Sequence, residues 1–312
     1  MKKVFKSIIF VVILITLIQI INILLIPKYE IFNPVNYEIS GEKDNSIDAI
    51  FLGDSLVYSS VSPMVIWNEY GFTSFDCAEP AQLISEGYKY LDFAVKRQSP
   101  KIVVMESNIL FRDPKNKTEN AEIAQAFKKY AAIGTYHDNW KKYLDKGSMD
   151  KWINPDKGYK YITKIKGAKK QEYIKFSNRY RPIPKENLYY FNKIIELCKI
   201  NNIKLVLVSF PSQKSWGYRK HNSTLKIAKE NKLEFIDLNL LDLGIDWKKD
   251  TKDRGSHLNY LGSKKVSTYI GGYLRQTKIL TDHRNDKEYN DWHKAYNIYQ
   301  KNQFKIDTIA TA

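Results

Sequence analysis

Residues 7–26 form an uncharged, almost wholly apolar run. At about 1.5 Å per residue, a helix of that length crosses a hydrocarbon core of about 30 Å. No polar face interrupts the run, which argues against a helix buried in a soluble core. Lys2, Lys3 and Lys6 precede it, and positive charge beside a membrane helix keeps that end in the cytoplasm, so the rest of the chain is expected to face outward. A cleaved signal would have a shorter apolar core and a small-residue cleavage site. Here Leu24, Leu25, Ile26 and Pro27 run directly into Lys28, and the segment reads as an uncleaved anchor. The expectation is a single-pass protein of a bacterial cell membrane, with residues 1–6 cytoplasmic, 7–26 in the membrane and 27–45 a linker. Abundant Lys, Asn, Ile and Tyr fit that source.

About 280 residues follow the anchor, enough to bury a sizeable core. They alternate between two patterns. Apolar, β-branched runs at 49–52, 73–77, 101–105, 204–209 and 234–237 read as strands, and helical patterns at 63–70, 82–97, 185–201, 222–230 and 261–274 lie between and after them. Such alternation predicts an α/β domain with a doubly wound parallel sheet, and ligands in these folds bind beyond the carboxyl ends of the strands.

The first strand ends in Gly53-Asp54-Ser55, followed by a hydroxyl-rich turn. Serine is a poor nucleophile near neutral pH unless a histidine takes its proton and a carboxylate orients that histidine. Asp253 and His257 supply both in one polar loop ahead of a helical run. With Gly53-Asp54-Ser55-Leu56 after the first strand, and the 253–257 loop followed by Leu258, Asn259 and Gly262, residues 46–276 resemble the SGNH/GDSL hydrolase superfamily.

That resemblance implies a flavodoxin-like three-layer sandwich in a single domain, with 277–312 as a C-terminal extension. It implies catalytic roles for Ser55, His257 and Asp253, and an oxyanion hole made by the Ser55 backbone N–H and a conserved-pattern Asn after the third strand, here Asn108. Two departures stand out. The family spacing is Asp-x-x-His, whereas Asp253 lies four residues before His257, with Asp250 the weaker alternative. The family also places a Gly in the turn after the second strand, where this chain reads Ala78-Glu79-Pro80-Ala81-Gln82. Gln82 offers a side-chain amide to the oxyanion hole or, equally, a helix-terminus hydrogen bond; for Asn108 a strand-end bond is the matching alternative.

The stretch 137–182 breaks the alternation. It holds thirteen Lys and Arg against five Asp and Glu, interspersed with Trp140, Tyr143, Trp152, Tyr159, Tyr161, Tyr173, Phe176 and Tyr180. It reads as an inserted lid that stacks on sugars and attracts an anionic cell-envelope glycan, or as a solvated basic helical cap. Removing the three anchor lysines from the formal net charge of +16 leaves +13. The outward topology argues against nucleic acid and for anionic headgroups or envelope polymers.

His221 either lines the site or begins a helix, His137 and His293 read as structural or surface residues, and the Asp282-His283-Arg284 cluster reads as a polar turn or a second functional loop. Cys77 and Cys198 do not make a disulfide framework, although one bridge between them stays open. No metal-ligand spacing and no phosphate-binding glycine loop occurs, so no cofactor or metal is expected.

Single-anchor outward SGNH domains resemble proteins that work beside multi-spanning membrane-bound O-acyltransferases. The expected function is therefore O-acylation, with acetyl the expected group, of an envelope polysaccharide through an acyl-Ser55 intermediate. A surface carbohydrate esterase and a non-catalytic glycan-binding accessory are the alternatives.

Overall fold

The computed structural model describes residues 2–25, 38–115, 154–169 and 173–310. The chain divides into two compact units, residues 1–41 with 115–152, and 42–114 with 153–312. In the first, helix α1 (Lys2–Leu25) carries a window, Val4–Ile21, of mean hydropathy 2.7 with none of its residues buried. Among the described residues this is the one helix long and apolar enough to cross a membrane.

The second unit is built on five parallel strands, β1 (Ala49–Gly53), β2 (Ser74–Ala78), β3 (Ile102–Glu106), β4 (Lys204–Ser209) and β5 (Glu234–Asp237), in the order β2-β1-β3-β4-β5. This is the flavodoxin-like order. Every residue of β1, β2 and β3 is buried, as expected of strands covered on both faces. Ala49, Phe51, Val104, Val206 and Val208 pack into one cluster with Leu56, Ile66, Val266, Ile270 and Leu274. These come from α2 (Ser55–Ser60), α3 (Pro63–Tyr70) and α7 (Tyr260–Thr277). Leu52, one step along β1, faces the opposite layer, where its Cδ1 approaches Gly87 of α4 (Ile84–Arg97). Helix α4 packs on α5 (Lys185–Ile200), and α6 (Tyr218–Glu230) packs against β5.

The C-terminal extension is folded onto this unit. Helix α8 (Asn290–Ala310) buries Trp292, Ala295 and Tyr299 at the three- and four-residue spacing of one helical face, and Trp292 meets Trp67 of α3 at 5.3 Å between ring centroids.

Of the basic aromatic stretch, residues 137–153 and 170–172, including His137, Trp140, Tyr143 and Trp152, lie outside the described residues, and the others contain no helix. After a turn at Lys157-Gly158, residues 159–169 run as a strap without helix or strand: Lys160 N–H donates to Tyr58 O at 2.9 Å and Lys166 N–H to Thr251 O at 2.8 Å.

The strand order reverses between β1 and β3, since β2 lies beyond one and β4 beyond the other. The chain leaves β1 into Ser55 and β3 into Asn108, so both residues stand at the crevice such a reversal opens.

Candidate active site

The turn from β1 into α2 starts with a glycine because nothing larger fits. A Cβ on Gly53 would lie 2.5 Å from Val57 Cγ2 and 2.6 Å from Glu106 Cβ. Asp54 then caps α2: its Oδ1 accepts from Leu56 N–H at 2.9 Å and its Oδ2 accepts from Arg112. The carboxylate of the Gly-Asp-Ser triplet is therefore spent on structure, and the next residue, Ser55, presents its hydroxyl.

Ser55 Oγ donates to His257 Nε2 at 2.7 Å, and His257 Nδ1 donates to Asp253 Oδ2 at 2.6 Å. A carboxylate only accepts, so the proton sits on Nδ1 and the Nε2 lone pair faces the serine. Asp253 Oδ1 also accepts from Ser256 N–H at 3.1 Å and His257 N–H at 2.7 Å. Burial pushes the Asp253 carboxyl up, but these hydrogen bonds from His257 outweigh it and hold the group below its ordinary value.

The extra residue between the acid and the base is absorbed by the backbone. Arg254 and Gly255 both take the left-handed conformation, at φ 64° and 86°, and the chain doubles back so that Asp253 reaches the imidazole despite the four-residue spacing. An isolated antiparallel bridge, Thr251 to Leu258, closes the loop's base. Two neighbours brace its tip. Arg254 N–H donates to Lys166 O of the strap at 2.7 Å, while Ser212 Oγ donates to Ser256 O at 2.8 Å from the loop after β4. Asp250, the weaker alternative orienter, is committed to Asp246 N–H at 2.8 Å and Lys265 Nζ at 2.7 Å.

The oxyanion candidates differ in their surroundings. Gln82 is buried and its Nε2 donates to Cys77 O at 3.3 Å. The turn that precedes it passes through Ala81 at φ 55°, a conformation that favours the glycine absent here. Asn108 is the second residue of the 3-10 turn Ser107–Phe111, and its Oδ1 accepts from Lys220 Nζ at 2.7 Å. Since Lys220 only donates, the amide is fixed with oxygen toward the lysine and Nδ2 left as the free-facing donor.

Beneath this turn lies a charged knot that sequence reasoning missed. Asp54 and Glu106 are both essentially inaccessible to solvent, at 1% and 0% exposure, with Arg112 and Lys220 as countercharges. Burial, then the neighbouring Asp54, pushes the Glu106 carboxyl well above its ordinary value, and burial lowers Lys220. Glu106 also caps the 3-10 turn by accepting from Asn108 N–H at 2.7 Å and Ile109 N–H at 3.2 Å. Tyr58, one helical turn past Ser55, is the other addition: burial and then Asp54 raise its hydroxyl, while a hydrogen bond with Ser55 opposes them. Its three-residue spacing from the serine was the available signal.

The remaining histidines stand elsewhere. His221 Nδ1 donates to Asp237 Oδ2 at 2.8 Å, His283 lies between Asp48 and Asp286 at 2.9 and 2.7 Å, and His293 Nε2 donates to Arg284 O at 2.8 Å. Cys77 and Cys198 are both free and buried; burial carries the Cys198 thiol up to about 12 and Cys77 well above its usual range.

Among solved structures, the chain is similar to a psychrotrophic esterase from Pseudoalteromonas (11% identity, TM-score 0.43, covering 75% of this chain and 99% of that one). It is also similar to a GDSL-like lipase from Bacteroides thetaiotaomicron (14%, 0.39, 74% and 89%) and a lipase/acylhydrolase from Enterococcus faecalis (12%, 0.39, 76% and 98%). No family model and no curated protein matches it.

Proposed function

We propose that the chain is a membrane-anchored serine acyl-transfer enzyme acting outside the cell through an acyl-Ser55 intermediate. The observation that carries this reading is the continuous relay from Ser55 Oγ through the His257 imidazole to Asp253. Ser55 Oγ attacks the carbonyl carbon of an acyl donor while His257 Nε2 takes its proton. The carbonyl electrons move onto oxygen, where the Ser55 N–H and the Asn108 Nδ2 supply hydrogen bonds. Collapse expels the leaving group, which takes the proton from His257. In the second half His257 deprotonates the acceptor hydroxyl, that oxygen attacks the acyl carbon, and Ser55 leaves with the proton returned. Asp253, ionised and fixed by three hydrogen bonds, holds the imidazole tautomer throughout.

The acceptor is a hydroxyl of a cell-envelope polysaccharide and the expected acyl group is acetyl. Support comes from the apolar run 7–26, preceded by Lys2, Lys3 and Lys6, which tethers the site to the outer membrane face in the expected topology. One helix offers no route for an acyl group across the bilayer, so a multi-spanning acyltransferase is the partner this reading requires. With water as acceptor, the same machinery is a carbohydrate esterase.

Two experiments test the proposal. The full chain in detergent is expected to react at Ser55 with a serine-directed phosphonate, and labelling that persists in both Ser55→Ala and His257→Ala would sink the site. Envelope acylation is then compared between cells carrying wild type and Ser55→Ala. A drop in the mutant supports transfer, a rise supports hydrolysis, and no change counts against both.

A further inference from the structure

Several lysines of the second unit pair with carboxylates. Lys157 Nζ meets Glu42 at 2.6 Å, Lys265 meets Asp250 at 2.7 Å and Lys101 meets Asp48 at 3.2 Å. Two lysines beside the nucleophile, Lys160 exposed and Lys252 half-buried, meet an aromatic ring instead. Lys160 Nζ lies 4.4 Å from the centroid of the Tyr58 ring, and Lys252 Nζ lies 5.9 Å from the same ring. Among the described residues neither ammonium forms an ion pair with a carboxylate.

The convergence is built by the backbone. Lys160 is fixed where its N–H donates to Tyr58 O at 2.9 Å, and Lys252 where its N–H donates to His257 O at 3.2 Å. Tyr58 itself is only 7% exposed and lies one helical turn past Ser55 on α2. Two like charges are thus carried by two separate segments to one packed ring, one helical turn from the nucleophile. Their repulsion is relieved when an anion lies between them. Lys252 reflects that cost: burial and Lys160 act against its charged form, with Asp253 opposing them.

We propose that Lys160 and Lys252, held over Tyr58, form a subsite for an oxyanion group, phosphate or carboxylate, borne by the substrate that reacts at Ser55. The acyl-transfer reading supplies the purpose of this subsite, whereas the binding of an anion stands apart from it. An anion docked here places a neighbouring ester or hydroxyl of the same molecule beside Ser55 and gives the enzyme a preference for acidic over neutral substrates.

The test uses the full chain in detergent micelles. Methyl 4-acetoxybenzoate, 4-acetoxybenzoate and 4-acetoxyphenyl phosphate present similar aryl acetates with neutral, carboxylate and phosphate ends. The kcat/KM of a charged ester relative to the neutral one is expected to fall about tenfold in K160Q/K252Q, the scale of two partly exposed ion pairs. In K160R/K252R the preference is expected to hold. Whichever charged ester shows the larger ratio identifies the group, and a ratio near one for both in the wild type, or unchanged by K160Q/K252Q, overturns the subsite. Calorimetric binding of inorganic phosphate and of acetate to the Ser55→Ala chain gives a second arm. Lysine-dependent binding of either anion, weakened about tenfold by K160Q/K252Q, supports the subsite even if no ester is turned over, in which case the acyl-transfer reading alone falls. Turnover of all three esters with no lysine-dependent anion binding overturns the subsite and leaves acyl transfer standing.

Discussion

Two histidine–aspartate pairs stand at the carboxyl ends of this sheet with nearly the same first bond: His257 Nδ1 to Asp253 at 2.6 Å and His221 Nδ1 to Asp237 at 2.8 Å. They differ in what surrounds that bond. The far nitrogen of His257 faces Ser55 Oγ, whereas the His221 ring is flanked by Tyr218 and Phe235 at 5.2 and 5.5 Å between centroids. Asp253 spends its remaining capacity on the loop that carries its own histidine. Asp237 gathers Ser209 Oγ, Trp216 Nε1 and Asn239 N–H around it and so pins the loop after β4. That loop in turn holds Ser256 through Ser212. A His–Asp pair is chemistry only when its outer nitrogen meets a nucleophile; here the second pair braces the first.

The largest expected effect tests that division directly. Ser55→Ala and His257→Ala are each expected to lower turnover of an aryl acetate by about 10³-fold or more. His221→Ala is expected to keep activity per folded molecule within about tenfold of wild type while lowering the melting temperature. A His221→Ala loss as deep as that of His257→Ala, in a protein still folded by circular dichroism, would break the comparison.

Next come the carboxylates. Asp253→Asn presents the wrong partner to Nδ1 and is expected to cost about 10²- to 10⁴-fold in kcat. Asp237→Asn removes a buried acceptor with several donors and is expected to cost about 1–3 kcal/mol of stability, read in a denaturant titration, with a much smaller loss in kcat.

Helix α6 sharpens the same contrast, because it carries His221 as a brace and Lys220 as the donor that fixes Asn108. Lys220→Met frees the Asn108 amide to rotate. The expected result is about a tenfold fall in kcat with KM nearly unchanged, the pattern of a lost transition-state interaction. Equal changes in both constants would make Lys220 a structural residue only.

Much of this was legible beforehand for a physical reason. Buried parallel strands must be apolar on both faces, so β1, β3 and β4 announced themselves, and Ser55, Asp253 and His257 followed from the requirements of a serine nucleophile. What escaped depended on backbone turns and on distant partners. Nothing in Arg254-Gly255 states that two left-handed residues will absorb a four-residue spacing. Glu106 reads as the end of a strand until the fold places Asp54 beside it, and Lys160 sits in a stretch whose described residues have no helical periodicity to reveal that they form a strap. The buried face of α8 was written in Trp292, Ala295 and Tyr299, but its docking surface on α3 is remote in sequence.

Acid titration separates the two pairs more gently. Both Asp253 and Asp237 are held below their ordinary value of 3.8; in each case burial acts upward and is outweighed by hydrogen bonds, led by His257 and His221 respectively. A depressed carboxyl contributes stability that is present above its unfolded pKa and is lost as pH falls through the folded one. The melting temperature is therefore expected to decline below about pH 4. Asp237→Asn should flatten that decline more than Asp253→Asn, because the Asp237 side chain is 4% exposed and that of Asp253 36%, where solvent screens the interaction. A steeper dependence on Asp253 would place the stabilising pair at the reacting site instead.

The smallest effect concerns the turn after β2, which lacks the braces of the Asp253–His257 loop. In that loop one of the two consecutive left-handed positions is a glycine, whereas the turn after β2 sends Ala81 through φ 55°. A left-handed non-glycine residue costs about 1–2 kcal/mol, and glycine returns about 0.4–1 kcal/mol of that through the greater freedom of the unfolded chain. Ala81→Gly is thus expected to stabilise the protein by about 0.5 kcal/mol, a rise of about 1–2 °C in melting temperature for a unit of this size. If the strain instead holds the Gln82 turn in place for the oxyanion, the same substitution leaves the melting temperature raised and lowers kcat. Measuring both on one variant decides whether this turn belongs with the reacting pair or with the brace.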